Sequence, residues 1–290
     1  MRSADLASET PDAAGPPRPR WSAAMARPTS VLLVSWFLGS LLLAFIVVPL
    51  LGLAISQSGG SLAHVAALPD VQQAILLSFG AALLATCIAA IVGVPLAYAL
   101  AHATFPARGV VAAIVDIPLT VPHTVAGIAL LFAFGRQGIF GGPAEAWLGL
   151  RFWGTVAGIV VAMLFVSVPY TVSAARIGFE AVDPRLEKVA RTLGMGPWRV
   201  LWHVTLPLAR RSIATGLVLT CARAISEFGA VVILVYYPMT APVKIYELFL
   251  RFGLTEAAGM ATLLLALSLA LLILFRWVAH GQSKASGYGR

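Results

Sequence analysis

The sequence predicts an all-α membrane protein with about six transmembrane helices, and three observations lead there. Of its 290 residues, 59% are hydrophobic and 11% charged, with a mean hydropathy of +0.90, against roughly 25% charged in soluble domains. The apolar residues fall in runs near the ~20 residues that a helix needs to cross a hydrocarbon core. The basic residues gather between those runs. A helix satisfies its own backbone N–H and C=O groups, so it is the form such runs take in lipid. These grounds exclude a soluble globular protein. The net charge of +8 and the pI near 10.1 then read as topology, not as nucleic-acid binding.

Residues 1–28 are rich in Pro, Ala and Arg without apolar periodicity, which predicts a disordered cytoplasmic tail. A transmembrane domain over 29–280 follows. Its first span, Val31 to Ile55, is free of charge and too long for the core of a signal peptide. Further spans are predicted at about Ala74–Ala101, Gly109–Phe134, Gly154–Gly178, Ile213–Val235 and Ala257–Ala279. Residues 281–290 form a short cytoplasmic C-terminal tail. Gly93 with Pro95, Pro118 with Pro122, and Pro169 lie inside spans, predicting a kinked bundle whose neighbours satisfy the freed carbonyls. Cys87 and Cys221 sit in apolar spans without metal spacing, as packed free thiols do.

Orientation follows from Lys and Arg. With the N-terminal tail in the cytoplasm, 15 of the 20 basic residues fall inside and 4 outside (Arg136, Arg151, Lys244 and Arg251), leaving Arg223 in a span. Both termini are therefore assigned to the cytoplasm of the inner membrane. The long connection 179–212 lies on the same side.

That connection reads FEAVDPRLEKVARTLGMGPWRVLWHVTLPLARRS and has the grammar of a short helix pair. Asp183 can cap a helix that has Pro184 at its first position. Leu186, Val189 and Leu193 follow at spacings of 3 and 4, on one face, and Gly194 fits the stop. Gly196 and Pro197 restart the chain, and Trp198, Leu201 and Trp202 offer an apolar face suited to a membrane surface. A partnerless surface hairpin satisfies this grammar as well as a docking element does.

The stretch EKVARTLGMGPWRVLWHVTLP resembles the signature loop of permease subunits of binding-protein-dependent ABC importers. Its pattern is Glu-Ala-Ala, three residues, Gly, nine residues, an aliphatic, one residue, Leu-Pro. Aligned on Gly194, Val204, Leu206 and Pro207 fall in register. Lys188, Val189 and Ala190 occupy the Glu-Ala-Ala positions, where only Ala190 matches, and Glu187 stands one position early. The resemblance implies a type I importer permease fold in which residues 184–203 form a coupling helix docking on the ATPase. It also implies coupling roles for Glu187, Lys188, Ala190, Gly194, Leu206 and Pro207, a second permease copy, and an extracytoplasmic substrate-binding protein.

No GxxxxGK[ST] occurs in the chain, so the phosphate-cradling loop of a nucleotide site is missing and ATP hydrolysis is expected on a separate chain. The histidines, His64, His102, His123, His203 and His280, are scattered. No metal, cofactor or catalytic set is predicted. Arg223 and Glu227 are spaced by four in the predicted fifth span, on one helix face. Ionisable groups in lipid must pair or face water, and two readings stand: an internal pair that fixes packing, or a lining of the pathway or its gate that includes Phe228 and Gly229. Asp116 reads as structural and close to the interface.

The blocks DIPLTVPHTVAGIALLFAFG (116–135) and RAISEFGAVVILVYYPMTAPVKIYELFLRFGL (223–254) resemble molybdate and tungstate permeases. The Glu-Phe-Gly core at 227–229 is shared with sulfate and thiosulfate permeases, which stay as the alternative. An ATPase-independent channel or secondary carrier is the rival from another class, usually marked by internal repeats. On this view the external segment from Tyr236 to Thr255 meets the binding protein. There Lys244 and Arg251 either steer an acidic partner or an anion or are ordinary solvated charges.

Overall fold

Each predicted apolar run folds as helix, two of them in two pieces, and proline, glycine and charge decide where a helix stops. The structure is a computed structural model describing residues 30–103 and 105–284, with side chains to Phe275, and it divides into two units. The first, ending at Gly52, holds most of α1 (Ser30–Ile55), which is apolar around its whole circumference. The second begins at Leu53 and contains everything described below. The predicted tail 1–28 lies outside the described residues, as do residues 285–290.

The centre of the second unit is a trio of packed helices, α3 (Pro69–His102), α7 (Val156–Glu180) and α10 (Leu206–Ile225). Lipid offers no hydrophobic drive for helix association, so close approach and interhelical hydrogen bonds must hold such a trio. The sequence supplies both. Ala81, Ala82, Ala85 and Ala89 form a buried small-residue face on α3. A Cβ on Gly216 would sit 2.8 Å from that of Ala174, and one on Gly178 would sit 2.6 Å from that of Ser212. Between α7 and α10 the hydroxyls of Thr171 and Thr220 lie 2.6 Å apart, and Thr220 donates to the Ser167 carbonyl at 3.1 Å. Pro95 and Pro169 sit inside continuous helices.

Two predicted spans differ from expectation. The run Gly109–Phe134 is two helices, α4 (Arg108–Thr120) and α5 (His123–Phe134), bent by 115°. Pro122 disfavours helical backbone at the residue before it, and Val121 is accordingly extended, with φ −77° and ψ 130°. The run Ile213–Val235 breaks after Ile225, and a short α11 (Gly229–Leu234) follows. Among the described residues four helices, α1, α3, α7 and α13 (Leu254–Lys284), are long and apolar enough to span a bilayer, or five with the bent α4–α5 pair taken as one span. About six were predicted. The predicted fifth span falls short because α10 carries Arg210, Arg211 and Arg223. Helix α13 runs past the predicted boundary at 280.

The remaining elements fill the ends. Short helices α2 (Gly59–Ala67) and α6 (Gly141–Leu148) flank the spans, while α8 (Pro184–Thr192) and α9 (Pro197–Val200) occupy the long connection. A π-helical turn, Leu201–Thr205, joins α9 to α10. Amphipathic α12 (Ala241–Phe252) packs on α13 and α3, and its first N–H, from Ala241, donates to the buried Ser78 hydroxyl at 2.6 Å.

Candidate functional site

The 179–212 connection folds as its sequence dictates. Asp183 caps α8 by accepting the Arg185 N–H at 2.9 Å, with Pro184 at the first helical position. Gly194 ends the helix with φ +84°, in the left-handed region where glycine is unstrained. The Gly194 N–H donates to the Arg191 carbonyl at 3.0 Å, and the Met195 N–H to that of Ala190 at 3.1 Å. This pair of bonds is the Schellman closure.

The two faces of α8 have opposite fates. Leu186, Val189 and Leu193 all point outward, with Lys188 beside them, whereas Glu187 and Ala190 are buried. Glu187 Oε1 accepts the Thr205 hydroxyl at 2.6 Å and lies 3.2 Å from His102 Nε2. One buried carboxylate thus ties the hairpin to the end of α3 and to the π-helical turn leading into α10. The root is tied as well: Glu180, ending α7, pairs with Arg108 at 2.8 Å and Arg176 at 2.9 Å. Trp198, Leu201 and Trp202 wall an apolar cavity of about 440 Å³ against Ile91, Val94 and Tyr98 of α3. Leu206 packs into the α3–α7–α10 core, and Pro207 sits exposed in the first turn of α10.

The second cluster lies at the α10–α11 break. Glu227 stands beyond the end of α10, so the predicted shared helix face is absent, yet Arg223 Nη2 still meets Glu227 Oε2 at 2.7 Å. The Glu227 side chain is 1% exposed, and its Oε1 accepts the Ala230 N–H at 2.7 Å, holding the start of α11. Arg223 also donates to His123 Nε2 at 2.8 Å. Gly229 permits that approach, since a Cβ there would sit 2.8 Å from that of His123. Phe228 stacks edge-on against Tyr246 of α12.

The third set is on α12. Lys244 Nζ is held between Asp70 Oδ2 at 2.8 Å and Glu247 Oε2 at 2.7 Å, and Arg251 Nη1 reaches Glu247 Oε1 at 2.7 Å. Hydrogen bonds from Lys244 and then Arg251 hold the Glu247 carboxyl below its usual range. Burial alone would lower the Lys244 pKa, but its bonds to Asp70 and Glu247 prevail and hold it above the usual lysine value. Lys244 is therefore an internal strut, while Arg251 is 63% exposed. Asp116 is exposed and accepts only a long bond from Ser173, 3.5 Å. Both cysteines are free, Cys221 buried and Cys87 exposed. Among the described residues no group of His, Cys, Asp and Glu is arranged to hold a metal.

Residues 93–284, which take in the hairpin, the α10–α11 break and α12, match the family of binding-protein-dependent transport system inner membrane components. The chain belongs to that family. This permease is 42% identical to the molybdate/tungstate transport system permease protein WtpB of Thermococcus kodakarensis, over 83% of its own length and 93% of that protein. It is 35% identical to the molybdenum transport system permease protein ModB of Escherichia coli K12, over 74% and 96% of the two chains. A chain in the crystal structure of a bacterial ABC transporter that imports the acidic polysaccharide alginate superposes with a TM-score of 0.70 at 15% identity, over 86% of this chain and 95% of that one. The fold is that of an ABC importer permease, a multi-pass inner-membrane subunit, as residues 187–207 indicated. Sequence reasoning missed His102, Thr205 and His123. His102 lies 85 residues from Glu187, and His123 lies 100 residues from Arg223, so no local spacing announces either contact.

Proposed function

We propose that this permease, paired with a second copy, forms the translocation pathway for molybdate or tungstate, driven by a separate ATPase and fed by an extracytoplasmic binding protein. The observation that carries the drive mechanism is the hairpin itself. Its outward face exposes Leu186, Val189 and Leu193 among basic side chains, while its inner face is fastened to α3 and α10 through Glu187. A short rigid element tied to two packed helices moves them as a lever. A docked ATPase that shifts α8 would displace the ends of α3 and α10 together, because Glu187 links both.

The Lys and Arg distribution supports a cytoplasmic hairpin and cytoplasmic termini, and on that orientation α12 lies on the far side, toward the binding protein. There Arg251 offers the charge for steering, and Lys244 holds Glu247 in place beneath it. Arg223, Glu227, Phe228 and Gly229 form the gate region. The cargo assignment rests on the molybdate and tungstate names of the relatives. Reconstitution of the permease with its ATPase and binding protein tests the whole reading. ATP-dependent uptake of molybdate, competed by tungstate more strongly than by sulfate, is the expected result. Stronger competition by sulfate would move the cargo to the alternative class, and uptake without the ATPase would overturn the importer.

A further inference from the structure

The α10–α11 break opens on a cavity of about 460 Å³ lined by His123, Thr124, Arg223, Ser226, Glu227, Phe228 and Gly229. Arg223 is its main donor. Three of the five guanidinium N–H groups of Arg223 are engaged, by Glu227, His123 and, at 3.4 Å, the Ser226 hydroxyl, leaving two without a partner among the described residues. The hydroxyls of Thr124 and Ser226 are on exposed residues. Helix α5 begins at His123 without a side-chain cap, and His123 and Thr124 of its first turn line the same space. The acid in the lining, Glu227, is already engaged. Both its oxygens are occupied and its side chain is 1% exposed.

Guanidinium and hydroxyl donors at an open cavity suit a tetrahedral oxyanion. The charge arithmetic sets how tightly. Glu227 cancels the formal charge of Arg223 while holding its guanidinium still, so the pocket offers directed donors with little net attraction. Such a site orients a dianion and lets it go.

We infer that this pocket is a transit contact for the imported oxyanion, with Arg223 and Thr124 donating to its oxygens and Glu227 limiting its affinity. The inference rests on the oxyanion-importer reading above. Its test is a charge series at Ser226 in the complete reconstituted transporter, read as molybdate imported per ATP hydrolysed. An aspartate facing the cavity repels a dianion at short range, so Ser226→Asp should lower that ratio at least about tenfold, and the isosteric Ser226→Asn only about two- to threefold. The double variant Arg223→Gln/Glu227→Gln, which leaves no buried unpaired charge, should also lower the ratio while the protein stays monodisperse. Equal ratios for the Asp and Asn variants would overturn the inference, as would a double variant with the wild-type ratio. If wild-type transporter imports neither molybdate, tungstate nor sulfate, the oxyanion reading itself fails, and that is seen before any variant is made.

Discussion

Replacing Gly194 isolates the mechanical role of the hairpin, because only backbone conformation is at stake there. A Cβ added at Gly194 meets nothing within 4 Å, while its φ is +84°. Left-handed backbone costs an ordinary L-residue roughly 1–2 kcal/mol, and a β-branched side chain sits at the upper end or above it. A penalty of about 2 kcal/mol shifts the balance between the closed and the frayed C-terminus of α8 by roughly 30-fold. Fraying releases the Met195 and Gly194 hydrogen bonds to Ala190 and Arg191, and with them the orientation of Leu193 on the docking face.

Gly194→Val in the reconstituted transporter should therefore reduce molybdate uptake per ATP hydrolysed by about an order of magnitude, Gly194→Ala less, and Gly194→Asn least, since Asn tolerates the left-handed region. Uptake and hydrolysis measured in parallel in proteoliposomes separate lost coupling from lost protein. Wild-type coupling in the valine variant would refute the lever. Equal losses in all three would show that the docking surface excludes any side chain at 194 and that φ is irrelevant.

Three further outcomes follow from the packing and the charges. Glu187→Ala strands the Thr205 hydroxyl and His102 and should cost about 1–3 kcal/mol, seen as a lower Tm in detergent, whereas Glu187→Gln, which still accepts from Thr205, should keep most of it; equal losses would deny the buried latch. Gly216→Val forces α7 and α10 apart at a 2.8 Å approach and should destabilise by about 1–3 kcal/mol, while Gly80→Ala, with nothing within 4 Å, should be neutral or slightly stabilising. The α12 network responds to acid. Glu247 has a lowered pKa, so its contribution is complete above the ordinary value near ~4.3 and fades as pH falls through the folded one. Lys244 has a raised pKa, so its contribution is complete below ~10.4 and fades only as pH rises through the higher folded value. Hydrogen exchange in α12 should accordingly be uniform in stability from about pH 5 to 10 and loosen below about pH 4; a transition near neutrality would contradict the pairing.

Composition and local grammar made much of this legible. The apolar runs were readable because lipid demands continuous helices, and the hairpin because its cap, its proline and its Gly194 act within a few residues of one another. Where the reading fell short, the deciding interactions are distant or cumulative. Hydropathy treats 109–134 as one span because it averages over Pro122, whereas the chain responds to the steric rule at Val121 and turns by 115°. It counts 213–235 as a span because it averages over the break at 226–228. Lys244 looked like a free surface charge because Asp70, 174 residues earlier, gives no sign of standing beside it.

The departure from the Glu-Ala-Ala pattern shows how much a single position matters. Successive residues of a helix point about 100° apart, so an acid at 187 instead of 188 faces a different neighbour. At 188 the side chain is exposed, and lysine stands there. At 187 it is buried, between Thr205 and His102. The exposed side chains of α8 are therefore apolar or basic apart from Thr192 and the helix-starting proline, and the carboxylate acts from within, joining the hairpin to the end of α3 and the turn before α10. A residue that looked misplaced against the family pattern fastens the hairpin to both helices, and that fastening is what the proposed lever requires.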